Sequence, residues 1–315
     1  MTLQDHPKTR RFTEAGPLTQ IDAWYEEGRN VMWMMLRAQP RPSFNPVLLD
    51  EITTLARAAR ASKLPIDFWV TGSSVQGIFN AGGDLALFAH HIRSGNHSGL
   101  RAYARACVDA VHEAMTGFGV GAITMSMVEG TALGGGFEAA LAHDFVLAEK
   151  GVKMGFPEIA FNLFPGMGAY TFVARRSHMR VAERLISTGE AMTAEWHHEQ
   201  GLVDRLFEQG EALQVTRGFI DSLIPKRNGI RAMLRARQRV MPVTRSELID
   251  ITEDWAQAAF QVEEKDLAYM ERLVMLQNRR SAKPAAPVAS APATASEPAV
   301  AAEPVKEGLR VVVSN

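Results

Sequence analysis

Within twenty residues, from Ile123 to Ala142, the chain passes from a strand-like run through a glycine turn into a helical pattern, and this limits the folds open to it. The run Ile123 to Val128 ends at Glu129-Gly130, and Gly134-Gly135-Gly136 lead into Phe137-Glu138-Ala139-Ala140-Leu141-Ala142. A strand that enters a helix through a tight glycine turn leaves backbone N–H groups unpaired at the helix N-terminus, where they attract negative charge. Glu138 falls in the first turn of that helix, and Glu158 follows twenty residues later, directly after Pro157.

The same order recurs elsewhere in the chain. Ile66 to Val70 reads as a short strand and runs into a loop from Gly72 to Asn80, after which Ala81-Gly82-Gly83-Asp84 precedes a helix starting near Asp84. Another helix covers Leu100 to Met115, and Phe145 to Ala148 is a further strand. Strands alternating with helices predict an α/β architecture with crossover connections. Upstream, Asp22 to Tyr25 and Asn30 to Leu36 read as a β-hairpin across Glu26 to Arg29. Asn45-Pro46 opens a helix, the asparagine as cap and the proline at the first position. Residues 1–20 read as a loosely ordered arm, 21–210 as the α/β core and 211–280 as a helical region, with an apolar segment at Leu202 to Phe207. From 281 to 315 the chain is nearly all Ala, Pro, Val, Ser and Glu, a composition that predicts a disordered tail.

Composition excludes several function classes. Lys+Arg number 34 against 35 Asp+Glu, without the basic excess of a nucleic-acid binder. A single cysteine, Cys107, allows no internal disulfide and fits a reducing cytoplasm, and it reads as a packing residue. Met1 to Arg11 has no apolar core of a secretory signal, and Val31 to Leu36 is too short to span a bilayer, so a cytoplasmic protein without a membrane span is expected. Gly117 to Ala122 matches a loose dinucleotide fingerprint but follows a helix and precedes a strand, the reverse of the required order. His90-His91 and His197-His198 are adjacent pairs without the spacing of a zinc site and read as surface residues, so no metal is expected. Arg175-Arg176 and Arg279-Arg280 could meet a phosphate, although such pairs are commonly just solvated.

Two chemical readings remain. If the turns at Gly82-Gly83 and Gly134-Gly135 converge, they present two N–H donors to one oxygen, an oxyanion hole; the alternative is that the glycines serve only tight turns. Glu138 and Glu158, if neighbours, push each other's pKa apart and supply an acid and a base; alone, each is an ordinary helix-start residue.

Phe79-Asn80-Ala81-Gly82-Gly83-Asp84-Leu85, Ala132 to Glu138 and Gly155-Phe156-Pro157-Glu158-Ile159 resemble the crotonase (enoyl-CoA hydratase/isomerase) superfamily. The resemblance covers roughly residues 20 to 280. It implies a spiral of ββα units with a C-terminal helical region, assembled as a trimer or a hexamer. It also implies catalytic Glu138 and Glu158, oxyanion-hole N–H groups on Gly83 and Gly135, and no cofactor beyond the CoA or acyl carrier protein bearing the substrate. Within the superfamily, Gly82 to Phe88, Ala132 to Leu141, Leu163 to Tyr170, and Arg272-Leu273-Val274 with Arg279-Arg280-Ser281 are similar to the diffusible signal factor synthases of bacteria. That likeness implies dehydration of a 3-hydroxyacyl thioester to a cis-2-enoyl thioester, then thioester hydrolysis that releases a fatty-acid quorum-sensing signal. An apolar acyl tunnel follows, with Met167 and Trp255 as its expected lining, the alternative being that both are ordinary core; Gly82 and Gly134 are expected beside them in the substrate pocket. The competing readings are an ordinary enoyl-CoA hydratase and a protein that acts mainly by binding a sensor-kinase or regulator domain.

Overall fold

The computed structural model of the chain describes residues 2–281; the Ala/Pro-rich tail lies outside them from residue 282 on, as do the side chains of Arg279 and Arg280. In chain order the first half contains β1 (Thr9–Arg11), β2 (Ile21–Glu26), β3 (Val31–Leu36), α1 (Pro46–Ser62), β4 (Phe68–Ser73), β5 (Ile78–Asn80), α2 (Leu85–Arg93), α3 (His97–Met115), β6 (Ile123–Val128), β7 (Thr131–Leu133) and α4 (Gly135–Leu141). It continues with β8 (Phe145–Glu149), β9 (Lys153–Gly155), a 3₁₀ turn (Pro157–Phe161), α5 (Ala169–Arg176), α6 (Met179–Thr188), β10 (Met192–Thr193), α7 (Ala194–Glu199) and β11 (Arg205–Phe207). The helical region consists of α8 (Ala212–Leu223), α9 (Arg227–Val240), α10 (Arg245–Ala259) and α11 (Glu264–Ser281).

Seven strands form the main sheet in the order β1-β2-β3-β4-β6-β8-β11, with β2 antiparallel to β1 and β3 and every later pair parallel. Its middle strands are buried on both faces, which is why they read as continuous apolar runs. Along β3 the strand period sends Met32, Met34 and Leu36 into the core shared with α1 and α3, and Val31, Trp33 and Met35 into the core under α8 and α9. Asn45 caps α1 as its sequence predicts, its Oδ1 accepting the Leu48 N–H at 3.0 Å.

The ββα repeat becomes visible when the second sheet is added. It has the order β10-β9-β7-β5, and β5, β7 and β9 are parallel neighbours. Thus β4-β5-α2, β6-β7-α4 and β8-β9-α5 each send one strand to the main sheet and one to the small sheet before a helix. This is the crotonase-like spiral. The carboxyl ends of β5, β7 and β9 lie side by side, the position at which parallel sheets present ligand sites.

The structure corrects three readings of the sequence. The first twenty residues are not a loose arm: β1 pairs with β2, and Leu3 and Phe12 are buried. The loop from Gly72 to Asn80 contains β5, and β7 and β9 are likewise three residues long, too short for any period to register. His197 is fully buried, its Nε2 at 2.9 Å from the Met154 carbonyl, and burial holds it in the neutral form with its pKa near 4; only its neighbour His198 is exposed.

Candidate active site

Three strand ends deliver the functional groups. β5 leads to Gly82-Gly83, β7 to Gly134-Gly135, and β9 through Phe156 to the 3₁₀ turn that carries Glu158. Because β5 and β7 are adjacent, the two glycine turns touch: a Cβ placed on Gly135 would stand 3.5 Å from Gly83 N, and one on Gly82 only 2.8 Å from the Leu133 carbonyl oxygen. Among the described residues, neither the Gly83 nor the Gly135 N–H donates to a protein acceptor. Gly135 opens α4, so its amide is an orphan of the first helical turn.

Glu138 projects from α4 and is 1% exposed. Its Oε1 accepts the N–H groups of Met167 at 2.7 Å and Ala169 at 2.9 Å, at the start of α5. Glu158 lies against the second glycine turn, since a Cβ on Gly134 would be 2.2 Å from its Oε1. Its Oε2 is buried without a hydrogen-bond partner. Burial pushes both carboxyls upward, Glu138 to about 7 against the pull of its N–H donors, and Glu158 well above the usual range, where the charge of Glu138 adds to burial. The two glutamates are therefore neighbours that hold protons at a pH where surface carboxylates are ionised.

Both glutamates, Gly82, Gly83, Gly134, Gly135, Met167 and Trp255 line one cavity of about 260 Å³. Its remaining wall is largely apolar, with Leu85 and Phe88 from α2, Ala104 and Cys107 from α3, and Leu273 from α11. The eight residues singled out in the sequence thus meet in one place. Cys107 is buried as expected, and burial pushes its thiol to about 12, so it enters the cavity as an un-ionised wall group.

Three contributors escaped sequence reasoning. Asn80 accepts the Gly82 N–H on its Oδ1 at 2.8 Å, Tyr103 lines the cavity from α3, and the Thr252 hydroxyl of α10 donates to the Gly166 carbonyl at 2.5 Å. Tyr103 and Thr252 meet their partners only after distant segments fold together, whereas Asn80 turns its side chain onto the backbone two residues ahead, a local turn whose place in the site shows only once the Gly82-Gly83 turn faces its partner loop. The arginine pair Arg175-Arg176 is already engaged, Arg175 with Glu247 at 2.7 Å and Arg176 with the Leu141 carbonyl at 3.0 Å. Among the described residues no cluster of three or more His, Cys, Asp or Glu is placed to hold a metal, and no helix is long and apolar enough to cross a membrane.

The raised pKa of Glu138 has a measurable consequence for stability. A carboxyl raised from 4.5 to about 7 keeps a proton that the unfolded chain releases, so its presence lowers stability progressively between these values and by a constant amount above them. Glu138→Gln retains an oxygen for the Met167 and Ala169 amides and removes the titration. Its stability relative to the native chain is expected to rise between pH 5 and pH 8, toward a limit of about 3 kcal/mol, read as a rise in its relative melting temperature. A difference independent of pH would contradict the burial of an ionisable carboxyl here.

An α/β spiral of ββα units with paired carboxyls and two free glycine amides in one cavity defines the class. The enoyl-CoA hydratase/isomerase family profile matches residues 26–275, and the chain belongs to that family. Over 204 residues it is 28% identical to the mitochondrial methylglutaconyl-CoA hydratase of Rattus norvegicus, covering 62% of each chain. It is 27% identical to the 2,3-dehydroadipyl-CoA hydratase of Escherichia coli over 54% of this chain and 62% of that one. It is 35% identical to the enoyl-CoA isomerase/hydratase fer4 of Mycosarcoma maydis over 32% and 38%. These matches span between 38% and 62% of the relatives' lengths. In fold, the chain is similar to the human mitochondrial delta3-delta2-enoyl-CoA isomerase, with TM-score 0.68 and 14% identity over 84% of this chain and all of that one. It is also similar in fold to Pseudomonas aeruginosa DspI, with TM-score 0.64 and 22% identity over 83% and 96%.

Proposed function

We propose that this protein dehydrates a 3-hydroxyacyl thioester and then hydrolyses the thioester, releasing a cis-2-unsaturated fatty acid. The observation that carries the acid–base part is the sharing of one cavity by Glu138, Glu158 and the unpaired amides of Gly83 and Gly135. Removing a proton from C2 of a thioester is slow unless the enolate oxygen is stabilised, so a carboxylate at the carbon and N–H donors at the oxygen must act together. One glutamate takes the C2 proton, and the other protonates the departing C3 hydroxyl, which leaves as water. In the second reaction a water deprotonated by a glutamate attacks the thioester carbon, the amides hold the tetrahedral oxyanion, and the thiol leaves with a proton. The apolar wall suits a medium-length acyl tail, with CoA or acyl carrier protein outside the cavity. Support for the hydrolytic, signal-producing form is the likeness of Gly82 to Phe88 and Leu163 to Tyr170 to signal synthases; on that reading the protein is a cytoplasmic trimer or hexamer that also meets a sensor-kinase domain.

The second reading, an ordinary enoyl-CoA hydratase, is favoured by the names of the relatives. Incubation with a 3-hydroxyacyl thioester on acyl carrier protein, followed by mass spectrometry and gas chromatography, separates the two. Free cis-2-enoic acid is expected. A trans-2-enoyl thioester with no free acid would establish the ordinary hydratase in its place.

A further inference from the structure

The turn that carries Gly83 is pinned on both sides. The Gly82 carbonyl accepts the Phe44 N–H at 2.8 Å, and the Gly82 N–H donates to Asn80 Oδ1 at 2.8 Å. On the other side, the Asp84 N–H donates to the Tyr103 hydroxyl at 3.0 Å, and that hydroxyl donates in turn to the Phe44 carbonyl. A closed circuit therefore runs from Phe44 to Gly82 and back to Phe44 through Asp84 and Tyr103. Gly83 lies between the two pinned residues, and its own N–H takes no part.

Tyr103 suits this task physically. It is 6% exposed, its ring meets Phe88 edge-on at 5.4 Å, and α3 holds it through a 19-residue helix capped by Asn96. Its hydroxyl is the only link in the circuit that comes from outside the two loop segments. Asp84 itself is held from a different direction by Arg41 at 2.8 Å, so loss of the hydroxyl would tilt the turn without releasing it.

From this geometry we infer that Tyr103 is a positioning residue that aims the Gly83 amide at the carbonyl oxygen of the bound acyl group. The inference rests on the acyl-thioester reading of the site. Without the hydroxyl, the Asp84 amide and the Phe44 carbonyl keep only the direct backbone bridge between their two segments; the turn shifts toward it, and the Gly83 N–H turns away from the oxygen. Misplacement of a donor by about 1 Å can cost on the order of a hundredfold in rate.

The test compares the full native chain with Tyr103→Phe, which keeps the ring. Two quantities are read: kcat and KM for a 3-hydroxyacyl thioester, and the infrared carbonyl stretch of a bound, unreactive saturated acyl thioester labelled with ¹³C at the carbonyl. The expected result is a kcat lower by about tenfold to a hundredfold with KM changed by less than about threefold. The carbonyl stretch, shifted to lower frequency in the native complex, is expected to return toward its free value. A purely structural role would lower the melting temperature and leave the carbonyl frequency of the folded complex in place, and that outcome overturns the inference. Should Tyr103→Phe fail to fold, 4-aminophenylalanine at position 103 keeps the ring and the donation to Phe44 but all but removes the acceptor for the Asp84 amide; an unchanged carbonyl frequency there overturns it equally. If the native chain neither turns over the thioester nor shifts its carbonyl, the proposed function fails and this inference with it. If the native chain does both and Tyr103→Phe does both as well, only this inference fails.

Discussion

Glu138→Gln and Glu158→Gln are each expected to lower kcat for 3-hydroxyacyl-thioester dehydration by on the order of 10³, with KM changed far less. On the proposed reaction both side chains are needed in one event: C2 gives up a proton while the C3 hydroxyl receives one, and neither carboxyl can fill both positions. The double substitution should therefore cost little more than either single one, because residues that act as a unit are non-additive. Glutamine keeps the volume of each side chain, and at position 138 it can still accept the Met167 and Ala169 amides that Glu138 Oε1 accepts at 2.7 and 2.9 Å. The folded state should survive in both variants, which melting followed by circular dichroism would verify. Two independent, multiplicative losses would show that the glutamates do not act as a unit, and a loss at only one position would show that the other serves no part of the dehydration.

The second large effect is expected at Gly134. Its φ of 52° and ψ of −128° are rarely adopted by an L side chain, and an added Cβ would meet Glu158 Oε1 at 2.2 Å. Gly134→Ala must therefore strain the backbone, at about 1–3 kcal/mol, and drive the Glu158 carboxylate from its place. Because the displaced atom is the end of a side chain, the protein should still fold, and kcat should fall by on the order of 10². Gly229→Ala is the matched comparison. Gly229 lies within α9 with no atom inside 4 Å of an added Cβ, and the exchange there should stabilise the chain by about 1 kcal/mol. Equal effects at the two positions, measured by melting and by turnover, would rule out a specific fit between Gly134 and Glu158.

What could be read from the residues beforehand divides along physical lines. The main-sheet strands β3 and β6, the capped helix α1 and the two glycine turns carry local signals, an apolar period or a residue that only a particular backbone accepts. Glu138 and Glu158 stood out through their positions behind Gly134-Gly135-Gly136 and Pro157. The small sheet was illegible because β5, β7 and β9 have three residues each, and what defines them is pairing with one another. Yet that sheet brings Gly83, Gly135 and Glu158 together, so convergence of the site was the part that residues alone left open. Tyr103 is illegible for a related reason. A tyrosine in a helical run is ordinarily core, and its hydroxyl acquires a task only when α3 folds back over the turn at Gly83. His197 was misplaced because a polar pair resembles surface until Met154 provides a buried acceptor for it.

The most direct measurement of the shared acid–base site is isotopic. The purified chain would be given a 2-enoyl thioester in D₂O, and the 3-hydroxyacyl product examined by NMR for deuterium at C2. With Glu138 and Glu158 acting at adjacent carbons beneath the Gly83 and Gly135 amides, the native protein should place a single deuterium at C2 on one face only. Glu138→Gln combined with Glu158→Gln should place none above the uncatalysed background. Stereospecific labelling by the double variant at the native rate would contradict the assignment of the chemistry to these two carboxyls.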